Sequence, residues 1–353
     1  MPKLAVLYQS SPPPPVDGIS KPMKPGGYAD SGADIAFSLQ QAGVEVVLPV
    51  SAPRQQQDTD WVFPDTAAGI ESALQRGATI LWLNTVLYAG HAIEAFFPSS
   101  LELVGQLPLR AGQFDDKLLT NDLLRNHGLP VPDYHILSQD NYTERLPTLT
   151  YPIVVKPVRG RGSQGVTKVD DAEQAGLVVR KLLESAEYGD KVYTERFLDG
   201  QEITVSVLPP GTYNIRGQEV TQPSYWCLPP VVRFNHDGGI APYNGSVAVI
   251  HNSRVLSADE AASPALQSAL QACAKAAHLV GAKAVIRIDC RADAAGNYFL
   301  FDLNMKPNMT GNQRLHRQDQ QSLTGLAARE IGWSYQDLLL NLLGQRWKAQ
   351  AAS

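Results

Sequence analysis

AKAVIRIDCRADAAGNYFLFDLNMKPNMTG, residues 282 to 311, holds two apolar runs joined by a turn-rich stretch. In the first run Ala284, Ile286 and Ile288 alternate with Val285, Arg287 and Asp289; in the second Phe299, Phe301 and Leu303 alternate with Leu300, Asp302 and Asn304. Strand side chains alternate between faces, so each run predicts a strand with one apolar face. Paired as an antiparallel hairpin, the two must match apolar face to apolar face. That register parity brings Arg287, Asp289, Asp302 and Asn304 onto the opposite face. Burying such groups without partners costs roughly 1 to 3 kcal/mol for a neutral one and more for a charge, so a cation, a metal or water must meet them. Two carboxylates and an amide oxygen suit Mg²⁺, and Arg287 beside them adds a fixed charge for an anion. The same four residues also suit a buried Arg–Asp ion-pair network, and the hairpin alone does not choose between the two.

The 353 residues, 44% of them hydrophobic, suffice for two or three compact domains. A net charge of -5 and no dense basic run exclude an electrostatic footprint for nucleic acid or anionic lipid, leaving a small molecule as the expected partner. Cys227, Cys273 and Cys290 lack CxxC spacing, which argues against a zinc site or a disulfide framework and fits small core residues. No apolar stretch approaches a membrane span and the first residues lack a signal-peptide core, so the expected location is the cytoplasm.

Along the chain, KLAVLY (3–8), VEVVLP (44–49) and TILWL (79–83) alternate with helical patterns over 30–42 and 65–76, predicting βαβ units on a parallel sheet. No GxGxxG follows the first strand; a proline- and glycine-rich loop, SSPPPPVDGISKPMKPGG, stands there instead, either a plain insertion or a substrate lid. A helix is expected from about Asp115 to Gly128. Strands follow at 151–157, 166–169, 191–198 and 202–208, with a helix over 171–186. Residues 209–243 read as irregular, 259–280 as one helix, and the tail as two helices joined at Gly332-Trp333.

VVKPVRGRGSQGVTKV places Lys156 at a strand end before a loop with Gly160, Gly162 and Gly165, whose backbone N–H groups can approach phosphate oxygens. It is no Walker loop, since no GK[ST] follows, and by itself it is also an ordinary hairpin turn. Taken together and in order, FDDKLLTNDLLRNHGLPVP, YPIVVKPVRGRGSQGV, TERFLDGQEITV, RID with DLN, and LAAREIGWSYQDLL resemble the ATP-grasp enzymes, and within them the D-alanine–D-alanine ligases, over roughly residues 113 to 343.

The resemblance implies an α/β (α+β) ATP-grasp fold of three domains: an N-terminal Rossmann-like domain (1–112), a central small domain carrying the glycine-rich loop (113–199) and a C-terminal mixed-sheet catalytic domain (200–353). It implies ATP bound by Lys117, Lys156, the loop residues Gly162, Ser163, Gln164 and Gly165, the hinge Glu195, Arg196, Phe197 and Leu198, and Glu202 at the ribose. It makes Asp289, Asp302 and Asn304 ligands of one or two Mg²⁺, with Mn²⁺ as a substitute, and Arg287 and the Asn308 backbone the catalytic groups. The activity implied is an ATP-dependent carboxylate–amine ligase acting on amino-acid-like molecules through an acyl phosphate, in a homodimer. D-alanine–D-alanine ligase proper is the neighbouring alternative; a small-molecule kinase and a non-catalytic ATP-binding protein stand outside the class. The sequence departs from the family where substrates bind: no glutamate matches the one that holds the first amino group, Lys24 lying near its place, and Lys306 stands where a small residue is usual. Lys306 and Arg314 are therefore expected to meet an acceptor carboxylate, and Arg233 and His236, in a loop over 231–245, to face the ligand.

Overall fold

The computed structural model describes residues 2–16, 18–19, 21–98, 100–160, 163–185, 187–242 and 248–348. Leu4–Tyr8 lies inside a sheet of spatial order Trp347–Lys348, Glu102–Val104, Ile80–Asn84, Leu4–Tyr8, Phe63–Pro64, parallel except for the antiparallel Trp347–Lys348. The expected strand over 44–49 reduces to one parallel bridge between Val46 and Leu4. Two segments share that side of the first strand: residues 45–47 bond to Leu4, and Phe63–Pro64 pair with Leu7 and Tyr8. The glycine pair of KPGGY is stitched to the end of the same strand. Gln9 N–H donates to the Gly27 carbonyl, and Gly27 has φ +55 with a Cβ direction that points straight at the Gln9 carbonyl, a position only glycine tolerates.

A second, antiparallel sheet runs Tyr134–Ser138, Lys191–Arg196, Ile153–Pro157, Thr167–Val169, and the helix Ala172–Glu184 buries Ala175, Val179 and Leu182 in a separate core against it. A third sheet orders Ser253–Val255, Val231–Arg233, Glu202–Leu208, Ile286–Ala292, Tyr298–Asn304, all antiparallel, with Trp226–Cys227 also paired to Glu202–Leu208. Its face carrying Ile203, Val205, Val207, Ile286, Ile288 and Cys290 shares a core with Cys273, Ala276 and Ala277 of the helix Pro264–Leu279. Cys273 and Cys290 are fully buried free thiols of that core.

Residues 209–243 are more ordered than their composition suggests. Gly211–Ile215 and Gln218–Gln222 form a hairpin whose loop, Arg216-Gly217, has φ +53 and +80, the pair of left-handed residues that a two-residue turn between twisted strands requires. The helix expected over 259–280 is two, Ala258–Ala261 and Pro264–Leu279; Ser263 caps the second and Pro264 fits only its first turn. In the 286–304 hairpin Asp289 pairs with Asp302 but Cys290 with Leu300, so a bulge leaves Phe301 as the extra residue. Leu300, not Phe299 or Phe301, is therefore the buried partner of Cys290, and Phe301 turns to a cavity wall.

Candidate functional site

The polar face of the third sheet is built in cross-strand rows. Arg233, Glu202 and Arg291 are register partners in one row, Thr204, Asp289 and Asp302 in the next, Ser206, Arg287 and Asn304 in the third. The parity read from the hairpin holds for Arg287, Asp289, Asp302 and Asn304, which lie on one face. Thr204 Oγ1 donates to Asp289 at 2.7 Å, Arg287 donates to the other Asp289 oxygen at 3.2 Å, and Asn304 accepts the Lys306 N–H at 2.9 Å. Two aspartates and an amide oxygen in adjacent rows are a hard-oxygen set with few protein ligands, the kind of site at which Mg²⁺ keeps waters and phosphate oxygens. Among the described residues no three His, Cys, Asp or Glu side chains gather into a metal cluster.

A cavity of about 700 Å³ opens above this face, walled by the second and third sheets and by loop residues such as Lys24, Tyr28, Val86 and Leu87. Asp116 caps the helix Lys117–Asn126 by accepting the N–H groups of Leu118 and Leu119, and this aims Lys117, its first residue, at the sheet. Lys117 is ion-paired with Asp302. Burial works against both charges, but the attraction of Asp302 leaves the Lys117 ammonium with a raised pKa, while Lys117, Arg287 and Lys156 hold the Asp302 carboxyl below the usual range. Lys156, at the end of Ile153–Pro157, is ion-paired with Glu195, whose other oxygen accepts from Asn121 at 3.1 Å. The Lys156 ammonium lies 5.0 Å from the Phe301 ring centroid and 5.9 Å from that of Tyr193, so the bulge supplies one wall of its cage.

Ser163, Gln164, Arg196, Phe197, Leu198, Glu202, Arg233 and Asn308 also line the cavity. Gly162 lies outside the described residues. Gly165, at φ +71, makes the turn beneath the loop rather than its lining. His236 is not on the wall; its Nε2 lies 2.9 Å from Glu202, so it supports the carboxylate from behind. Arg314 is the main departure. Expected on a loop facing substrate, it is fully buried, donating to Asp34 and Asp58 at 2.7 Å each and to the carbonyls of Gln55 and Asp30 at 2.9 Å each. Its donors are committed to holding the helix Ala29–Gln41 to the segment after the third sheet.

Several wall residues escaped the sequence reading. Arg291 falls in the turn-rich stretch of the sequence, yet the strand runs on to Ala292 and gives it the parity of Arg287 and Asp289. It donates to the Gly239 carbonyl at 2.6 Å, approaches Glu202 at 3.5 Å and covers the Phe197 ring at 4.6 Å. Alternation was the available signal. Lys21 and Tyr28, from the proline-rich insertion and its end, also reach the cavity, and Lys21 is ion-paired with Asp115 across it.

Residues 123–344, well over half the chain, match the family described as "D-ala D-ala ligase C-terminus". The chain belongs to the D-alanine–D-alanine ligase family. It is 25% identical to the D-alanine–D-alanine ligase of Acinetobacter baumannii (strain AYE) over 331 residues, 91% of this chain and 92% of that protein. The ligase of Mannheimia succiniciproducens is 29% identical over 233 residues, 65% of this chain and 66% of the relative. Among solved structures, the Bacillus anthracis D-alanine–D-alanine ligase complexed with ATP superposes with a TM-score of 0.64 at 18% identity, covering 98% of this chain and 97% of that one. The Enterococcus faecalis D-Ala:D-Ser ligase VanG gives 0.65 at 14%, covering 98% and 99%. The fold is therefore the ATP-grasp fold of these ligases, and the protein is an ATP-dependent, ADP-forming ligase that makes an amide bond. The family uses ATP with a divalent metal and acts on amino acids. Among the described residues no helix is long and apolar enough to cross a membrane.

Proposed function

We propose that the protein joins the carboxyl group of one amino-acid-like molecule to the amine of another through an acyl phosphate, releasing ADP and phosphate. The observation that carries this reading is the set of cross-strand rows that put Arg287, Asp289, Asp302 and Asn304 under one cavity with Lys117 and Lys156. Asp289, Asp302 and Asn304 would hold Mg²⁺ or Mn²⁺, which when bound neutralises charge on the nucleotide's phosphate oxygens.

Lys117 and Lys156 hold the phosphates while the acid's carboxylate attacks the γ-phosphorus in line. Both lysines would exchange their carboxylate partners for phosphate oxygens as the nucleotide enters. The loop of Ser163 and Gln164 covers the phosphates; the hinge of Glu195, Arg196, Phe197 and Leu198 takes the base; Glu202, fixed by Arg291 and His236, takes the ribose. Arg287 stabilises the charge on the transferring phosphoryl group and then, with the Asn308 N–H, the tetrahedral oxyanion formed when the amine attacks. Collapse of that intermediate expels phosphate and leaves the amide, the amine having lost a proton. Arg233 closes the wall beside Glu202. The domain reading of 1–112, 113–199 and 200–353 is proposed as the set of bodies around this cavity, and a homodimer as the working assembly.

Incubation with Mg-ATP and pools of amino acids, followed by nucleotide analysis and product masses, tests the scheme. ADP and a condensed product that needs both an acid and an amine are expected; AMP formation would sink the acyl-phosphate route.

A further inference from the structure

We infer that the proline-rich loop over 10–27 is a latch, in which Ile19 and Lys21 position the glycine-rich loop over the phosphates and so keep water from the acyl phosphate until the amine attacks. This rests on the ligase reading above and deepens it. The loop leaves and rejoins the first sheet at one point. Gln9 N–H donates to the Gly27 carbonyl at 2.9 Å, and Asp65 accepts the Ser10 N–H at 3.0 Å and the Ser10 hydroxyl at 2.8 Å. Four successive prolines, Pro12 to Pro15, stiffen the outgoing arm, which makes it a strut rather than a slack tether. Its tip is a tight turn: Val16 and Ile19 exchange both backbone hydrogen bonds, at 3.1 and 2.9 Å, with Gly18 at φ +76 between them.

The tip docks on the second sheet's side of the cavity. Ile19 lies on Gly189, in the turn that leads into Lys191–Arg196, so close that a Cβ on Gly189 would meet Ile19 Cδ1 at 2.5 Å. The neighbouring Tyr188 ring packs on Gly165 at the end of the glycine-rich loop, where a Cβ would meet Tyr188 Cζ at 3.2 Å. Lys21, two residues after Ile19, is ion-paired with one oxygen of Asp115; the other lies 3.9 Å from Arg159, which donates to Asp116 at 3.1 Å. Arg159 stands at the start of the glycine-rich loop, and Asp116 caps the helix whose first residue is Lys117. Ile19 therefore bears on the far end of that loop, through Tyr188, and Lys21 on its near end, through Asp115 and Arg159.

Two supports at the two ends of a flexible loop fix its height above the cavity, where one would leave a hinge. That height matters most once the γ-phosphoryl group has moved to the acid. Water attacking the acyl phosphate would bond its oxygen to the acyl carbon, break that carbon's bond to the phosphate oxygen and lose a proton, returning the free acid with ATP spent. A covered site leaves the amine as the nucleophile. Lys21 itself lines the cavity, so the arm is part of the cover as well as its support.

Amide exchange on the ligand-free full chain tests the latch, and product ratios test what it does. Ile19→Ser and Lys21→Met should each raise exchange in the peptide from Lys156 to Val169 about two- to fivefold, the scale of one partly buried contact, with the third sheet unchanged. Ile19→Val and Lys21→Arg should restore the protection. With Mg-ATP and the acid and amine that give a condensed product in the screen above, the parent should release about one ADP per amide, and both disrupted variants about two or more. A merely structural role would lower ADP and amide together, and that result overturns the inference. So does unchanged exchange in either disrupted variant, or raised exchange with an unchanged ratio. These failures appear only in the variants; a parent that releases ADP with no condensed product from any pair overturns the ligase reading itself.

Discussion

Arg314 shows what one buried guanidinium does in this fold. Removing it leaves Asp34 and Asp58 without their shared partner, and breaking a buried pair from one side costs about 3 to 5 kcal/mol. Arg314→Met is expected to lower unfolding stability on that scale in urea, with Arg314→Lys recovering only part because an ammonium cannot satisfy four acceptors in a plane. Asp302→Ala is expected to behave oppositely, abolishing ADP release while the urea midpoint shifts little, because Asp302 faces the cavity. A midpoint drop matching the loss of activity would make Asp302 a structural residue instead. The sequence made Asp302 legible because its partners on the hairpin are near neighbours and strand alternation fixes their face. Arg314 was misread because its partners, Asp34 and Asp58, lie 280 and 256 residues away, and no local pattern carries that distance.

Among the elements, those with a strong period were legible: Glu202–Leu208, Leu323–Glu330 and Tyr335–Gly344 lie where alternation or helical spacing placed them. The elements that escaped are set by single residues. Pro264 divides one apparent helix, the Arg216-Gly217 turn hides a hairpin among polar residues, and one bulge redirects Phe301. The short helix Ala258–Ala261 depends on a capping box between Ser257 and Glu260. Arg254 and the Ser257 N–H hold the Glu260 carboxyl down to about 2. A depressed acid stabilises the fold above its ordinary pKa of 4.5 and loses that contribution as pH falls toward 2. Glu260→Gln should therefore differ from the parent in local amide-exchange protection at pH 6, and the difference should vanish as pH falls through that window. A difference that persists at pH 2 would show that the carboxylate's charge is not what caps the helix.

At the scale of the whole molecule, the family's motifs were legible in order from 113 to 343, while the contribution of Lys21, Lys24, Tyr28 and Asp30 to the cavity was not. Lys21 and Lys24 look like loop residues until Asp115 and Tyr28 are brought against them. The sheets are also closed in a way no motif announces. Trp347–Lys348 forms the edge of the first sheet, Trp347 Nε1 donates to the Gly105 carbonyl at 2.9 Å, and Arg346 donates to Glu102 at 2.9 Å. Truncation after Gln345 is expected to lower the melting temperature and to raise proteolysis around Glu102–Val104, leaving the third sheet's hydrogen-exchange protection largely in place. An unchanged melting temperature would make that edge dispensable.

That edge strand also bears on how the chain assembles as it is made. Arg346 and Glu102 are 244 residues apart, so the first sheet emerges from the ribosome long before its border strand exists. Until then Glu102–Val104 is an open edge, of the kind that recruits foreign strands. Its guard is synthesised 244 residues later, and the interval between them is the period in which a chaperone would have most to do.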